Sequence, residues 1–491
     1  MPAFAPLALA AALAAPRSQA CDPALAYRLT QTITPMLTEH AAHNSFSGVV
    51  LVACDGKPVY SIALGYADRA HHVPNTLQTR FNLGSMNKMW TAVAIAQLVE
   101  QGKVDLDAPV GRYLPDFPNP DVRANVLVRH LLTHTSGMDS YFTRGYIRNH
   151  VRIEAASELA RYYAEDSLLF RPGTRFHYSN AGFATLGMIV ERVSGMNYFD
   201  YVRKNVLARA GMTGAAFMTA PRPGPEYAIG YAKPPGATEE LENSDFIEGS
   251  SPAGGAYADA ASLVAFSRAL WSGRLVGLAT VSQFTTGKVE MGPGLKYAYG
   301  FGEGSNNGWR TVGHNGGGPG IGAEFLSFPE HGIDAVVLTN LDPPEVSRVI
   351  AGVAAVVTGG NAPGAAAGGP GDPAGGGEPP ALDRGRLPDV PVGRRAAAFL
   401  DAFSAGGPAY ERFIADQMVP TDQSPADRAK AGVAMRERVG ALKFKSLLAI
   451  LPTQVIMVVE SERAGDLKVS LQVEPAPPNR VLPRIDVNPY P

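Results

Sequence analysis

Positions 359–380 hold nine Gly, five Pro and five Ala in 22 residues, with no apolar periodicity. A segment of that composition has nothing to bury and reads as a flexible linker, extended with its flanks to 359–393. It cuts the 491-residue chain in two, so each side must build its own core: a long region at 21–358 and a small one at 394–491. Hydrophobic residues at 45% against 18% charged supply enough apolar surface for both. The net charge of −2 leaves no basic field to release counterions from a polyanion, so no nucleic-acid partner is expected.

At the amino terminus, positions 3–15 are an Ala/Leu-rich apolar stretch. It is followed by Pro16-Arg17-Ser18-Gln19-Ala20, with Ser18 and Ala20 at the small-residue positions of a cleavage site. Residues 1–20 therefore read as a signal peptide, although Met1-Pro2 brings no basic residue, and the chain is expected to be exported to the periplasm or beyond. No other run approaches the roughly 18 uncharged apolar residues of a spanning helix. Export permits a disulfide between Cys21 and Cys54, the two cysteines; two free thiols are the alternative. A lipid on Cys21 is disfavoured, because Ser18 stands where a lipobox has Leu.

Two β-branched runs, 46–53 and 58–66, flank Cys54-Asp55-Gly56-Lys57, whose Asp-Gly pair signals a tight hairpin. Helical spacing follows at 85–101, where Gly102 marks the stop, and at 154–165, 181–194 and 259–271. Strand signals return at 324–328 and 333–340. Strands at both ends with helices between predict an α/β (α+β) fold: one antiparallel sheet completed by the returning chain, flanked by helices, with a helical subdomain. The small region reads as α+β: an apolar helical face of Phe399, Leu400 and Phe403, a helix start at Ser424-Pro425, then strands at 455–460 and 467–473. It has no cluster of Ser, His, Cys or paired carboxylates that suggests catalysis.

No G-x-S-x-G occurs, which excludes the usual nucleophile elbow. Ser85-Met86-Asn87-Lys88 is an S-x-x-K at the start of a helix. Positions i and i+3 share a face, so the Lys88 amine can reach the Ser85 hydroxyl. The helix dipole and burial both disfavour the ammonium form, lowering the lysine towards a general base. Tyr178 and Asn180 point the same way if that stretch is extended. A phenol there can relay a proton and an amide can hold substrate; a core tyrosine and a helix cap are the alternatives. Val312-Gly313-His314-Asn315-Gly316-Gly317-Gly318 precedes a strand and reads either as a glycine-lined edge, with His314 as a polar or cationic group, or as a plain turn.

S-x-x-K, Y-x-N and H-x-G in that order resemble the serine hydrolases of the penicillin-recognising superfamily. The branch is that of class C β-lactamases, D-aminopeptidases and β-lactamase-like esterases. The likeness continues in Gly102-Lys103-Val104-Asp105-Leu106-Asp107, in Arg129-His130-Leu131-Leu132-Thr133-His134-Thr135-Ser136-Gly137-Met138 and in Gly254-Gly255-Ala256-Tyr257. It implies a β-lactamase/transpeptidase-like fold in which Ser85 is acylated and Lys88 and Tyr178 share general base and acid work. Asn180, His314 and Gly316 would contact substrate, and the N–H groups of Ser85 and Gly317 would form an oxyanion hole. His130 and His134 have H-x-x-x-H spacing, but Leu131 replaces the glutamate of a zinc-protease helix, so they read as structural. A lysine-activated serine needs no metal or organic cofactor.

The lactamase members usually carry K-T-G where this chain has His314-Asn315-Gly316. A histidine is mostly neutral at pH 7 and a poor anchor for a substrate carboxylate. The expectation is therefore a serine hydrolase for a small ester, amide or D-amino-acid peptide. A class C-like β-lactamase or D,D-peptidase, and a non-catalytic binding module on the same scaffold, are the alternatives.

Overall fold

The computed structural model describes residues 21, 23–142, 153–218, 224–232, 241–243, 249–342, 345–360, 387, 391–420, 424–451, 454–473 and 480–489. The expected signal peptide and positions 361–386 of the expected linker lie outside these residues.

The hairpin forms as its turn chemistry requires. Strands β1 (Gly48–Cys54) and β2 (Lys57–Leu64) are joined by Asp55 and Gly56, both at positive φ, 47° and 74°. That is the backbone of a two-residue type I′ turn. Every residue of β1 is buried. Val49, Leu51 and Ala53 enter one core and Val50, Val52 and Cys54 another, so the strand is apolar on both faces.

The eight-stranded antiparallel sheet runs β2-β1-β8-β7-β6-β5-β4-β3. Its later strands are β3 (Val289–Gly292), β4 (Leu295–Tyr297), β5 (Gly302–Asn306), β6 (Trp309–Gly318), β7 (Ile321–Phe328) and β8 (Ile333–Thr339). The returning chain closes on the first strand, Gly48 opposite Thr339 and Cys54 opposite Ile333. Helices α1 (Pro23–Ala42) and α5 (Val346–Thr358) cover one face, packing Leu25, Leu29, Ile33 and Leu37 with Val349, Ile350 and Val353. The other face carries α2 (Lys88–Glu100), α3 (Asn180–Ser194) and α4 (Ala260–Trp271). Residues 88–98 of α2 are all buried, as befits a helix that is apolar all round.

Two expectations change. Ala156–Tyr162 is a 3₁₀ helix, not the α-helix expected at 154–165. The Glu191 carboxylate of α3 accepts from the N–H groups of Ala156 and Ser157 and pins its start. The glycine-rich stretch before 324 is itself strand, β6, because it pairs along its length with β7. Helix α5, with five Val in 13 residues, has the β-branched composition of a strand; packing against the sheet overrides that preference.

The small region folds around its own core. Helices α6 (Pro391–Ala405), α7 (Gly407–Gln417) and α8 (Pro425–Val439) precede an antiparallel sheet of β9 (Leu442–Leu451), β10 (Gln454–Ser461), β11 (Gly465–Val473) and β12 (Val481–Pro489). Phe399, Leu400 and Phe403 of α6 pack on Val455, Met457, Leu467 and Val469. Ser424 caps α8 by accepting from the Asp427 N–H, with Pro425 in the first turn.

A disulfide joins Cys21 to Cys54, with Cα atoms 5.9 Å apart and a sequence separation of 33. It ties the chain leading into α1 to the end of β1. By loop-closure entropy its removal in a Cys21→Ser/Cys54→Ser variant costs roughly 3–4 kcal/mol. Urea unfolding of the two proteins measures this as a lowered midpoint.

Candidate active site

The turn before α2 differs from the helix expected to begin at Ser85. Gly84–Asn87 is a 3₁₀ turn and the α-helix begins at Lys88. In 3₁₀ geometry side chains at i and i+3 eclipse, which sets Lys88 directly over Ser85; Lys88 Nζ lies 2.9 Å from Ser85 Oγ. Gly84 supplies the left-handed φ of 49° that opens the turn.

The turn is stitched to the segment 251–256. Gly255 N donates to the Gly84 carbonyl (3.0 Å) and Leu83 N to that of Ala256 (2.8 Å). The Asn87 amide bridges the same segment, accepting from Ala256 N and donating to the Ser251 carbonyl, both at 3.1 Å.

Lys88 is fully buried. Its Nζ donates to Asn180 Oδ1 at 2.8 Å and to the Ala253 carbonyl oxygen. The Tyr178 ring lies 4.8 Å from Nζ. Desolvation drives the amine well below the usual lysine pKa. A neutral amine has two N–H groups and one lone pair. The carbonyl oxygens of Asn180 and Ala253 can only accept, so they take the two N–H groups and leave the lone pair for the Ser85 hydroxyl.

Tyr178 and Asn180 flank Ser179, which is extended (φ −130°, ψ 112°) and caps α3 through its hydroxyl, accepting from Gly182 N at 2.9 Å. The cap is therefore Ser179, and Asn180 is free to hold Lys88. Burial pushes the Tyr178 phenol up, partly offset by its hydrogen bond to Ser85. It stays a protonated phenol at neutral pH, so the base role rests on Lys88 and the relay role on Tyr178.

Residues 314–318 of β6 extend past the end of β5: Gly313 pairs with Gly302, and beyond it β6 pairs only with β7. The edge left open meets the nucleophile turn. A Cβ on Gly316 would collide with the Leu83 carbonyl, and one on Gly84 would press on Gly317 N. This close approach brings the Gly317 backbone beside Ser85, while Gly317 itself faces open space.

His314 does not present a charge to the cleft. It is 1% exposed. Its Nδ1–H donates to the Asn315 carbonyl (2.6 Å), and Nε2 accepts from the Tyr297 hydroxyl (2.9 Å). Burial, the largest cause, lowers its pKa to about 3. The cationic reading of His314 is thus corrected to a neutral ring that braces the strand carrying Gly316 and Gly317.

The Nδ1 atoms of His130 and His134 are both taken up by backbone N–H groups. His130 Nδ1 accepts from Leu127 N (3.2 Å) and His134 Nδ1 from Ser179 N (3.0 Å). No metal-binding cluster of His, Cys, Asp and Glu occurs among the described residues.

The sequence motifs thus converge on one place: Ser85, Lys88, Tyr178, Asn180, Gly316 and Gly317 meet, with His314 behind them. The Ala253 carbonyl was not among the expected groups, since a backbone acceptor leaves no residue-type signal; Gly254-Gly255-Ala256-Tyr257 is the only pointer to it.

The Beta-lactamase family model matches residues 30–368. The chain belongs to the beta-lactamase family. Among its relatives, Penicillin-binding protein 4* of Bacillus subtilis is 28% identical over 314 residues, 60% of this chain and 68% of that protein. Esterase EstB of Burkholderia gladioli is 34% identical over 221 residues, 42% of this chain and 55% of that one. Among solved structures, a penicillin binding protein from Bacillus halodurans superposes with a TM-score of 0.58 at 30% identity, covering 66% of this chain and 97% of that one. A D-amino acid amidase from Ochrobactrum anthropi shares the fold, with a TM-score of 0.56 at 23% identity over 64% of this chain and 92% of its own. The chain therefore sits in a family of serine hydrolases whose similar members include a penicillin-binding protein and an esterase.

Gly316 and Gly317 of β6 respond differently to a methyl group. Gly316→Ala displaces the strand from the nucleophile turn and lowers kcat by roughly 10²–10³-fold, the usual cost of a lost oxyanion donor. Gly317→Ala meets no atom within 4 Å and leaves the unfolding free energy within about 1 kcal/mol of the parent. Paired kinetics and urea unfolding on both variants check this.

Proposed function

We propose that the chain is a serine hydrolase that cleaves a small ester or peptide-like amide through an acyl-Ser85 intermediate. The observation that carries this is the seating of Lys88, whose Nζ lies against two obligate acceptors, the carbonyl oxygens of Asn180 and Ala253, and 2.9 Å from Ser85 Oγ, so that a neutral amine there turns its lone pair to the hydroxyl. Lys88 Nζ takes the Ser85 proton as Oγ attacks the substrate carbonyl, and the oxyanion gathers in the N–H groups of Ser85 and Gly317. The Tyr178 phenol gives its proton to the departing oxygen or nitrogen, and the neighbouring Lys88 ammonium returns one to the phenolate, which leaves both groups neutral. Water then attacks the acyl carbonyl, losing its proton to the same base, and Ser85 leaves with a proton restored.

The neutral, enclosed His314 supports esters and amides over substrates that need a cation for a carboxylate at that position. The esterase and D-amino acid amidase among the similar proteins point the same way. The penicillin-binding relative keeps a β-lactamase or D,D-peptidase as the second reading. The Cys21–Cys54 disulfide supports export to an oxidising compartment. In this reading 21–358 carries the chemistry, 359–393 is a linker and 394–491 an accessory domain.

Purified protein offered p-nitrophenyl butyrate, D-alanyl p-nitroanilide and nitrocefin is expected to turn over the ester or the anilide faster than nitrocefin. Ser85→Ala should abolish all three activities. Fast nitrocefin turnover beside inert ester and anilide reverses the order of the two readings.

The pH profile tests the base. A lysine whose pKa is lowered by burial loses its proton at lower pH than an ordinary lysine, near 10.4. Activity therefore rises with pH through the Lys88 pKa, and its acidic limb lies well below that value. A kcat/KM profile still climbing to pH 10 would remove Lys88 as the base.

A further inference from the structure

We propose that His134 is a positioning residue for the Tyr178/Asn180 pair: a neutral ring that stacks on the phenol and accepts the hydrogen bond of the peptide between the two. The inference rests on the acyl-serine reading above and adds a determinant of its rate.

His134 reaches three consecutive residues of the segment leading to Asn180. Its carbonyl oxygen accepts from His177 N at 2.8 Å. Its ring lies on that of Tyr178, centroids 4.1 Å apart and planes 29° from parallel. Its Nδ1 accepts from Ser179 N at 3.0 Å. Ser179 is also the cap of α3, so the same contact sets where Asn180 starts the helix and hence where its Oδ1 meets Lys88.

The ring is unsuited to other work. With Nδ1 accepting, the proton of the neutral imidazole sits on Nε2, which has no hydrogen-bond partner among the described residues. Around it stand the rings of Phe176, Phe183 and Tyr297, at centroid distances of 5.8, 5.1 and 4.6 Å. Neither a ligand set nor a proton path is offered there. His134 is fully buried and, unlike most non-glycine residues, holds a left-handed φ of 56°. A buried ring with an unsatisfied nitrogen, on an unfavourable backbone, is a poor choice for packing alone. Phenylalanine supplies the stack without the acceptor, and asparagine supplies an acceptor without the stack. Histidine supplies both.

The test compares His134→Ala, His134→Asn and His134→Phe with the parent. Each is checked for thermal unfolding, turnover of p-nitrophenyl butyrate and the rate at which a fluorophosphonate adds to Ser85, read by intact mass. His134→Ala is expected to lower kcat about a hundredfold, the scale of a misplaced catalytic group. Its KM is expected to stay within about threefold, since substrate binding is not the function removed. His134→Asn and His134→Phe should each recover part of kcat, and neither all of it. They carry the test if the alanine variant fails to fold. A folded alanine variant with parental kcat and labelling rate overturns the proposal, as does a phenylalanine variant equal to the parent, which would reduce the ring to packing. A parent that is never labelled at Ser85 overturns the acyl-serine reading and this proposal with it. A parent and variants labelled equally fast overturn the positioning role alone.

Discussion

A fully buried lysine amine with only oxygen acceptors around it is the constraint on which the site depends. Removing an ammonium ion from water without an anion to pair it is so costly that the group gives up its proton instead. Lys88 meets Ser85 Oγ, Asn180 Oδ1 and the Ala253 carbonyl, and no carboxylate is among these partners. The neutral amine has the same number of hydrogens as the site has obligate acceptors, which fixes the direction of the lone pair. A carboxylate at position 180 would restore the ammonium form and end the activation of Ser85.

The rest of the larger region maintains that condition. Helix α2 is buried all round, so it shields Lys88 from water along its whole first turn. The sheet behind it is packed on both faces, by α1 and α5 on one side and α2, α3 and α4 on the other, which keeps β6 from shifting under the nucleophile turn. His314 and Tyr297 brace β6 through paired hydrogen bonds, and the Tyr297 ring also lies against His134. A continuous set of neutral rings thus links the strand carrying Gly317 to the segment carrying Tyr178.

Much of this was legible one motif at a time. S-x-x-K ahead of an apolar helix, Y-x-N ahead of another and a glycine run ahead of a strand name residues that the fold brings within reach of one another. The Asp55-Gly56 turn and the Ser424-Pro425 helix start were equally plain, because each is decided by a few neighbouring residues. Long-range packing hid the rest. Helix α5 has the composition of a strand, the Ala156–Tyr162 turn is held by a carboxylate 35 residues away from Ala156, and the glycine-rich end of β6 beyond Gly313 is strand because β7 lies beside it.

The amino-acid sequence alone determined which chemistry was available: a serine with a lysine three positions on, a phenol and an amide two apart, and glycines where two backbones must touch. Those depend on residue type and local spacing. Only the tertiary structure decided their states: that Lys88 is dry, that Ala253 and Asn180 occupy its hydrogens, that His314 is neutral and turned from the cleft, and that His134 lies against Tyr178. Protonation follows burial and partners, and in this chain the partners of Lys88 come from positions 92 and 165 residues away.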